Sequence, residues 1–99
     1  MITFTRVGVI APGKAAAVAA FAQKVIDFYR TQYDVKIEVH RPVAGNPARI
    51  AWVVRYPDLA ALDAVLTKSQ ADPKHLELLA SGADLFIAGS THDEIWRSA

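Results

Sequence analysis

The segment from Ile2 to Ile10, ITFTRVGVI, is apolar on both of the faces an extended chain presents: Ile2, Phe4, Gly8 and Ile10 on one, Val7 and Val9 on the other. β-Branched and aromatic residues dominate it, and no breaker intervenes before Ala11-Pro12-Gly13. A strand of this kind is covered on both sides and belongs in the middle of a sheet. Thr3, Thr5 and Arg6 are its polar exceptions. A guanidinium in mid-strand must be paired or must face a polar cavity. Glu38 is the partner the sequence offers for Arg6, and a structural ion pair is favoured over a substrate clamp.

The segments that follow supply the layers around such a strand. Pro12-Gly13 opens a helix expected from about Lys14 to Tyr33, where Val18, Phe21, Ala22, Val25, Phe28, Tyr29 and Tyr33 recur every three or four residues as one apolar stripe. Asp27 and Arg30 are spaced to pair on its polar side. Val35, Ile37 and Val39 then alternate with Lys36, Glu38 and His40, a strand with one buried face. After turn chemistry from Arg41 to Pro47, a second strand runs from Arg49 to Tyr56. Ile50, Trp52, Val54 and Tyr56 share one of its faces, Ala51 and Val53 the other, and Arg49 and Arg55 bracket that second face.

Asp58 is placed to cap a helix carrying Leu59, Leu62, Val65 and Leu66, and Asp72-Pro73 restarts one after a break. His75 falls in the first turn of this last helix, where exposure is expected. Leu76, Leu79, Ala80, Ala83, Phe86 and Ile87 keep helical phase through Gly82. The helix is therefore expected to reach about Ala88, with Gly89 as its left-handed cap. A short buried strand at Leu85-Phe86-Ile87 is the competing reading. Residues 90–97 are then a polar strand at a sheet edge.

Ninety-nine residues are enough chain for one core, and residues 1–99 are expected to form a single domain. A hydrophobic share of 53% is high for so short a chain and points to a partner subunit. The net charge is +1, with Lys and Arg scattered singly, which leaves no electrostatic footprint for nucleic acid or anionic lipid. No apolar stretch approaches the ~20 residues that span a bilayer, so neither nucleic acid nor a membrane is expected as a partner. The absence of cysteine excludes a disulfide framework, an iron–sulfur cluster and a thiolate zinc site. Met1 leads straight into strand residues without the regions of a signal peptide, and a cytoplasmic location is expected.

The resulting order, β-α-β-β-α-(α)-β, is the ferredoxin-like plait of the α+β class, a four-stranded antiparallel sheet with helices on one face. Its other face also carries apolar residues and needs a cover, most simply the same face of a second copy. The strand-to-helix junction from Trp52 to Leu62 and the closing segment from Leu85 to Asp93 resemble NIPSNAP-like sequences of the dimeric α+β barrel superfamily. That superfamily also holds stress-responsive barrel proteins and antibiotic-biosynthesis or haem-degrading monooxygenases. The resemblance implies a homodimer through the sheet face. It implies no reaction, and no counterpart of the Asn, Trp and His of the haem-degrading branch aligns, with Asn46 sitting in a Pro/Gly loop.

Candidate site residues are few. Trp52 and Tyr56 share an apolar face and are expected to line a ligand pocket, with Arg55 or Arg49 at its rim and Arg6 and Glu38 as further ligand-binding candidates. Glu38 with His40, and His92 with Glu94, form i,i+2 pairs suited to acid–base work, so His40 and His92 are the candidate proton-transfer groups. Two ligands make no competent metal site, and neither a metal nor a cofactor is expected. The leading functional expectation is the binding of a small, mostly apolar metabolite between sheet and helices or in a barrel lumen. The alternatives are a cofactor-independent monooxygenase or small-molecule isomerase, and a non-catalytic interaction module.

Overall fold

The computed structural model describes residues 1–99. Its elements are β1 (Ile2–Val9), α1 (Ala15–Tyr33), β2 (Ile37–His40), β3 (Arg49–Tyr56), α2 (Leu59–Gln70), α3 (Pro73–Ser81) and β4 (His92–Arg97), with a 3-10 turn at Ala83–Leu85. The strands make one antiparallel sheet in the order β2-β3-β1-β4. This is the ferredoxin-like α+β plait, and the two-sided strand β1 is central in it. The polar tail does supply the fourth strand, pairing with β1 from Ile2 opposite Arg97 to Val7 opposite His92. No helix is long and apolar enough to cross a membrane.

The face of β3 that meets the helices is the one carrying Ile50, Val54 and Tyr56. These residues join Val18, Phe21 and Val25 of α1 in a single buried cluster, and Trp52 packs against it. Leu62 attaches α2 to the same cluster. The opposite face holds Thr3, Thr5, Val7 and Val9 of β1 beside Ala51 and Val53 of β3. Register sets His40, Ala51, Val7 and His92 in one row across the four strands, and Glu38, Val53, Thr5 and Glu94 in the next.

The helix caps follow their sequence signals. Asp58 accepts from the Ala61 N–H at 2.8 Å and Asp72 from the Lys74 N–H at 3.0 Å, with Pro73 at the start of α3. The expected continuation of this helix to Ala88 is corrected, because α3 ends at Ser81. Beyond Gly82 the backbone finds its partners at the end of β1 and just past it instead: the Ile87 N–H donates to the Val9 carbonyl at 2.8 Å and the Ala11 N–H to the Leu85 carbonyl at 2.9 Å. Phe86 is extended and bridges to Ile10. Gly89 is left-handed, at φ 78°, but in the turn that leads to β4 rather than on a helix end.

Candidate functional site

The helices do not close fully on the sheet. Between them lies a cleft of about 450 Å³, within the range of small-molecule sites. Phe4, Arg6, Trp52, Val54 and Tyr56 form its sheet side; Phe21, Val25 and Tyr29 come from α1, and Ser69 and His75 from α2 and α3. Phe21 is the corner piece, packing edge-on against Trp52 at 6.3 Å and Phe86 at 6.2 Å between ring centroids. At the mouth, Leu66, Leu76, Leu79 and Ile87 keep 36–52% of their surface exposed. A rim of large apolar side chains in water is unusual for a monomer surface and marks the entrance.

Among the polar side chains in this largely apolar wall, which include Ser69, Gln70 and Thr91, three stand out: Arg6, Tyr29 and His75. Arg6 reaches from the middle of β1 to Asp93 on β4, giving a bidentate pair with Nε to Oδ1 and Nη2 to Oδ2 both at 2.8 Å. The hydrogen bond from Arg6 holds the Asp93 carboxyl below the usual carboxylate value, and the same bond raises Arg6. Arg6 therefore pairs with Asp93 and not with Glu38. Residues 6 and 93 face each other across the β1–β4 ladder, whereas even-numbered Glu38 on β2 pairs with odd-numbered Val53 and so lies on the far face.

Tyr29 and His75 are the other two. The Tyr29 hydroxyl lies 2.6 Å from His75 Nε2, and the rings meet edge-on at 5.4 Å. His75 is only 5% exposed, and its Nδ1 has no hydrogen-bond partner. Burial pushes its pKa below the ordinary imidazole value, so the neutral ring is favoured. Burial raises Tyr29, an effect that Ser69 and Arg6 partly offset. Tyr56, also buried, is pushed up to about 12 and stays protonated. Next to this group, the Tyr33 hydroxyl donates to Asp72 Oδ2 at 2.7 Å, tying the start of α3 to the end of α1.

The structure divides the residues expected to act together. Trp52, Tyr56 and Arg6 line the cleft. Arg55, Arg49, Glu38, His40 and His92 stand on the other face of the sheet, because side chains alternate along β3 and Arg55 shares the face of Val53. There Glu38 pairs with Arg55, and His40 Nε2 lies 3.6 Å from its Oε1. Burial works against the ionised form of Glu38, but Arg55 and His40 outweigh it and the pKa is lowered. His92 Nε2 lies 3.7 Å from Glu94. No group of three or more His, Asp or Glu side chains is disposed to hold a metal ion.

His75, expected to be exposed, is the main site residue the sequence reading misses, together with Tyr29 and Ser69. A signal for His75 was present: it precedes Leu79 by one helical turn and so shares a face with it. Tyr29 read as one more apolar residue of a stripe, although a hydroxyl on a buried stripe needs a partner.

No family model matches the sequence, and no curated protein does. Solved structures do match. An uncharacterised NIPSNAP domain protein from Burkholderia xenovorans aligns over 100% of this chain and 95% of its own, at 17% identity and TM-score 0.83. A NIPSNAP family protein with unknown function from Agrobacterium tumefaciens aligns over 100% and 88%, also at 17% identity and TM-score 0.83. A cofactor-independent oxygenase from Streptomyces nogalater aligns over 98% and 91%, at 13% identity and TM-score 0.72. At these identities the likeness is one of fold: this chain folds as NIPSNAP-family and antibiotic-biosynthesis-monooxygenase-like proteins of the α+β barrel kind do.

Proposed function

We propose that this protein binds a small, mostly apolar metabolite in the cleft between its sheet and helices, and that it works as a homodimer. The cleft carries the reading: about 450 Å³ of largely apolar space with only a few polar groups inside it and a rim of exposed Leu and Ile at its mouth. Apolar walls supply affinity by removing ligand surface from water, while a small number of polar groups fix orientation. Arg6, Tyr29 and His75 are the groups able to do this.

The homodimer reading draws on the outer sheet face. Its two central strands present Val7, Val9, Ala51 and Val53 flanked by Thr3, Thr5, Arg49 and Arg55, and its two edge strands present Glu38, His40, His92 and Glu94. A contiguous apolar patch of Val7, Val9, Ala51 and Val53 bordered by polar and charged side chains is the anatomy of a protein–protein interface.

Trp52 reports on the cleft, and Trp96, 59% exposed on the opposite face, does not. In a Trp96→Phe background, titration with the neutral apolar probe 1-aminoanthracene is expected to quench Trp52 emission saturably, with one site per chain. Native mass spectrometry of the freshly purified protein then looks for a carried ligand. Absence of saturable quenching, with no carried ligand, would remove the binding reading.

A further inference from the structure

We propose that the cleft is a proton-transfer site, in which Tyr29 and His75 move a proton on and off an enolisable ketone with an apolar body. The inference rests on the cleft being a ligand site. It starts from the 2.6 Å contact between the Tyr29 hydroxyl and His75 Nε2, made inside that cleft by two residues that both line it. A structural histidine in a wall usually satisfies both ring nitrogens. Here Nδ1 is buried with no side-chain partner and only the Ser69 backbone bearing on it, so that Nε2, on Tyr29, makes the one side-chain hydrogen bond of the ring. Burial keeps the imidazole neutral, which leaves it free to accept a proton.

Arg6 defines what the substrate presents. Its Nε and Nη2 are committed to Asp93, leaving Nη1 uncommitted within the lining of the cleft. Arg6, Tyr29 and His75 line the same cleft, and the charge of Arg6 acts on both of the others. Because Asp93 already neutralises Arg6, the site is poorly suited to a ligand that arrives as an anion. It suits an oxygen on which negative charge develops during reaction, where a fixed donor stabilises the transition state more than the ground state. Ser69 bears on the His75 ring only through its backbone, its hydroxyl donating to the Leu66 carbonyl at 3.2 Å, so no nucleophile is paired with the ring, which separates this arrangement from acyl transfer.

The step balances without an oxidant. The C–H bond beside the ketone carbonyl breaks, and its proton goes to Tyr29 Oη as the proton of Tyr29 passes to His75 Nε2. The electron pair moves to the carbonyl oxygen, giving an enolate beside Arg6. Return of the proton from His75 through Tyr29 to that oxygen gives the enol, and return to carbon restores the ketone. His40 and His92 take no part, being on the far face of the sheet.

The probe is 2-tetralone, a neutral bicyclic ketone with activated C–H bonds at C1. In D2O, NMR is expected to show exchange of these protons faster than in buffer at the same pD. Tyr29→Phe removes the proton carrier, and His75→Gln keeps an acceptor for Tyr29 but cannot take up its proton. Each is expected to lower the exchange rate by about 100-fold or more. In both, Trp52 emission should still titrate saturably with 2-tetralone, so that the lost exchange is read with the ligand bound, which a merely structural role would not predict. If His75→Gln fails to fold, Tyr29→Phe decides the question.

Exchange at the buffer rate with 2-tetralone bound overturns the inference and leaves the ligand site standing. Wild-type rates in Tyr29→Phe overturn it as well. Binding of 1-aminoanthracene without binding of 2-tetralone overturns the ketone assignment, and binding of neither sinks the cleft reading itself.

Discussion

At Gly82 the backbone sits at φ −109° and ψ 7°, which any residue adopts, yet a Cβ built there would lie 2.5 Å from the Phe21 ring. Gly89 is the reverse case: nothing lies within 4 Å of its Cβ position, but φ is 78°. Gly82→Ala must therefore displace a packed aromatic, costing about 1–3 kcal/mol. Gly89→Ala pays only for the left-handed backbone, about 1–2 kcal/mol. A double-mutant cycle with Phe21→Leu, read by urea denaturation, separates the two causes. Strong coupling is expected at Gly82 and none at Gly89; equal coupling at both would show that the Phe21 contact is not what Gly82 serves. The same residue explains a misread boundary. Periodicity from Leu76 to Ile87 is helical through Gly82, and nothing in the sequence reveals that an aromatic from α1 fills the space where a side chain at 82 would go.

Packing of α3 on α1 is the element that sequence signals described least well. Its cap was legible, since Asp72-Pro73 is a local signal, but the bonds Tyr33–Asp72 and Tyr29–His75 join positions 39 and 46 residues apart. This interface makes stability depend on acid. His75 has a folded-state pKa below its ordinary 6.5, with burial the first cause and Arg6 adding to it, while Ser69 and Asp72 oppose them. The unfolded chain then binds more protons than the native one as the pH drops below 6.5, so this contribution is full above 6.5 and lost as pH falls through the lowered value. Asp72 and Asp93, held down by Tyr33 and Arg6, act only lower, below their ordinary 3.8. Urea midpoints measured from pH 8 to pH 3 should fall in two stages. His75→Gln should abolish the upper stage and keep the lower one; an unchanged upper stage in that variant would assign it to another group.

For the molecule as a whole, strand order and the centrality of β1 were legible because both follow from a pattern carried along single segments. Which face of β3 meets the helices was not, since Ile50, Trp52, Val54 and Tyr56 and the opposing Ala51 and Val53 are both apolar sets. The structure gives the larger side chains to the helices and leaves the smaller ones on an outer face bordered by a hollow under residues 41–44. Around Val7, Ala51 and Val53 the small side chains let a second sheet approach at the ~10 Å of face-to-face packing, with the bulky Trp96 set off at the β4 edge. The expected mass from light scattering at micromolar concentration is accordingly that of two chains. Val7→Lys puts a charge at the centre of the proposed contact and is expected to give the mass of one chain. Trp96, opposite Thr3 on this same face, should shift its emission to longer wavelength in that variant. Binding of 1-aminoanthracene should persist, because the cleft uses the other side of β1, β2 and β3. A wild-type mass of one chain would sink the homodimer reading and leave the cleft untouched, whereas loss of probe binding in monomeric Val7→Lys would mean that the second copy helps to hold the cleft open.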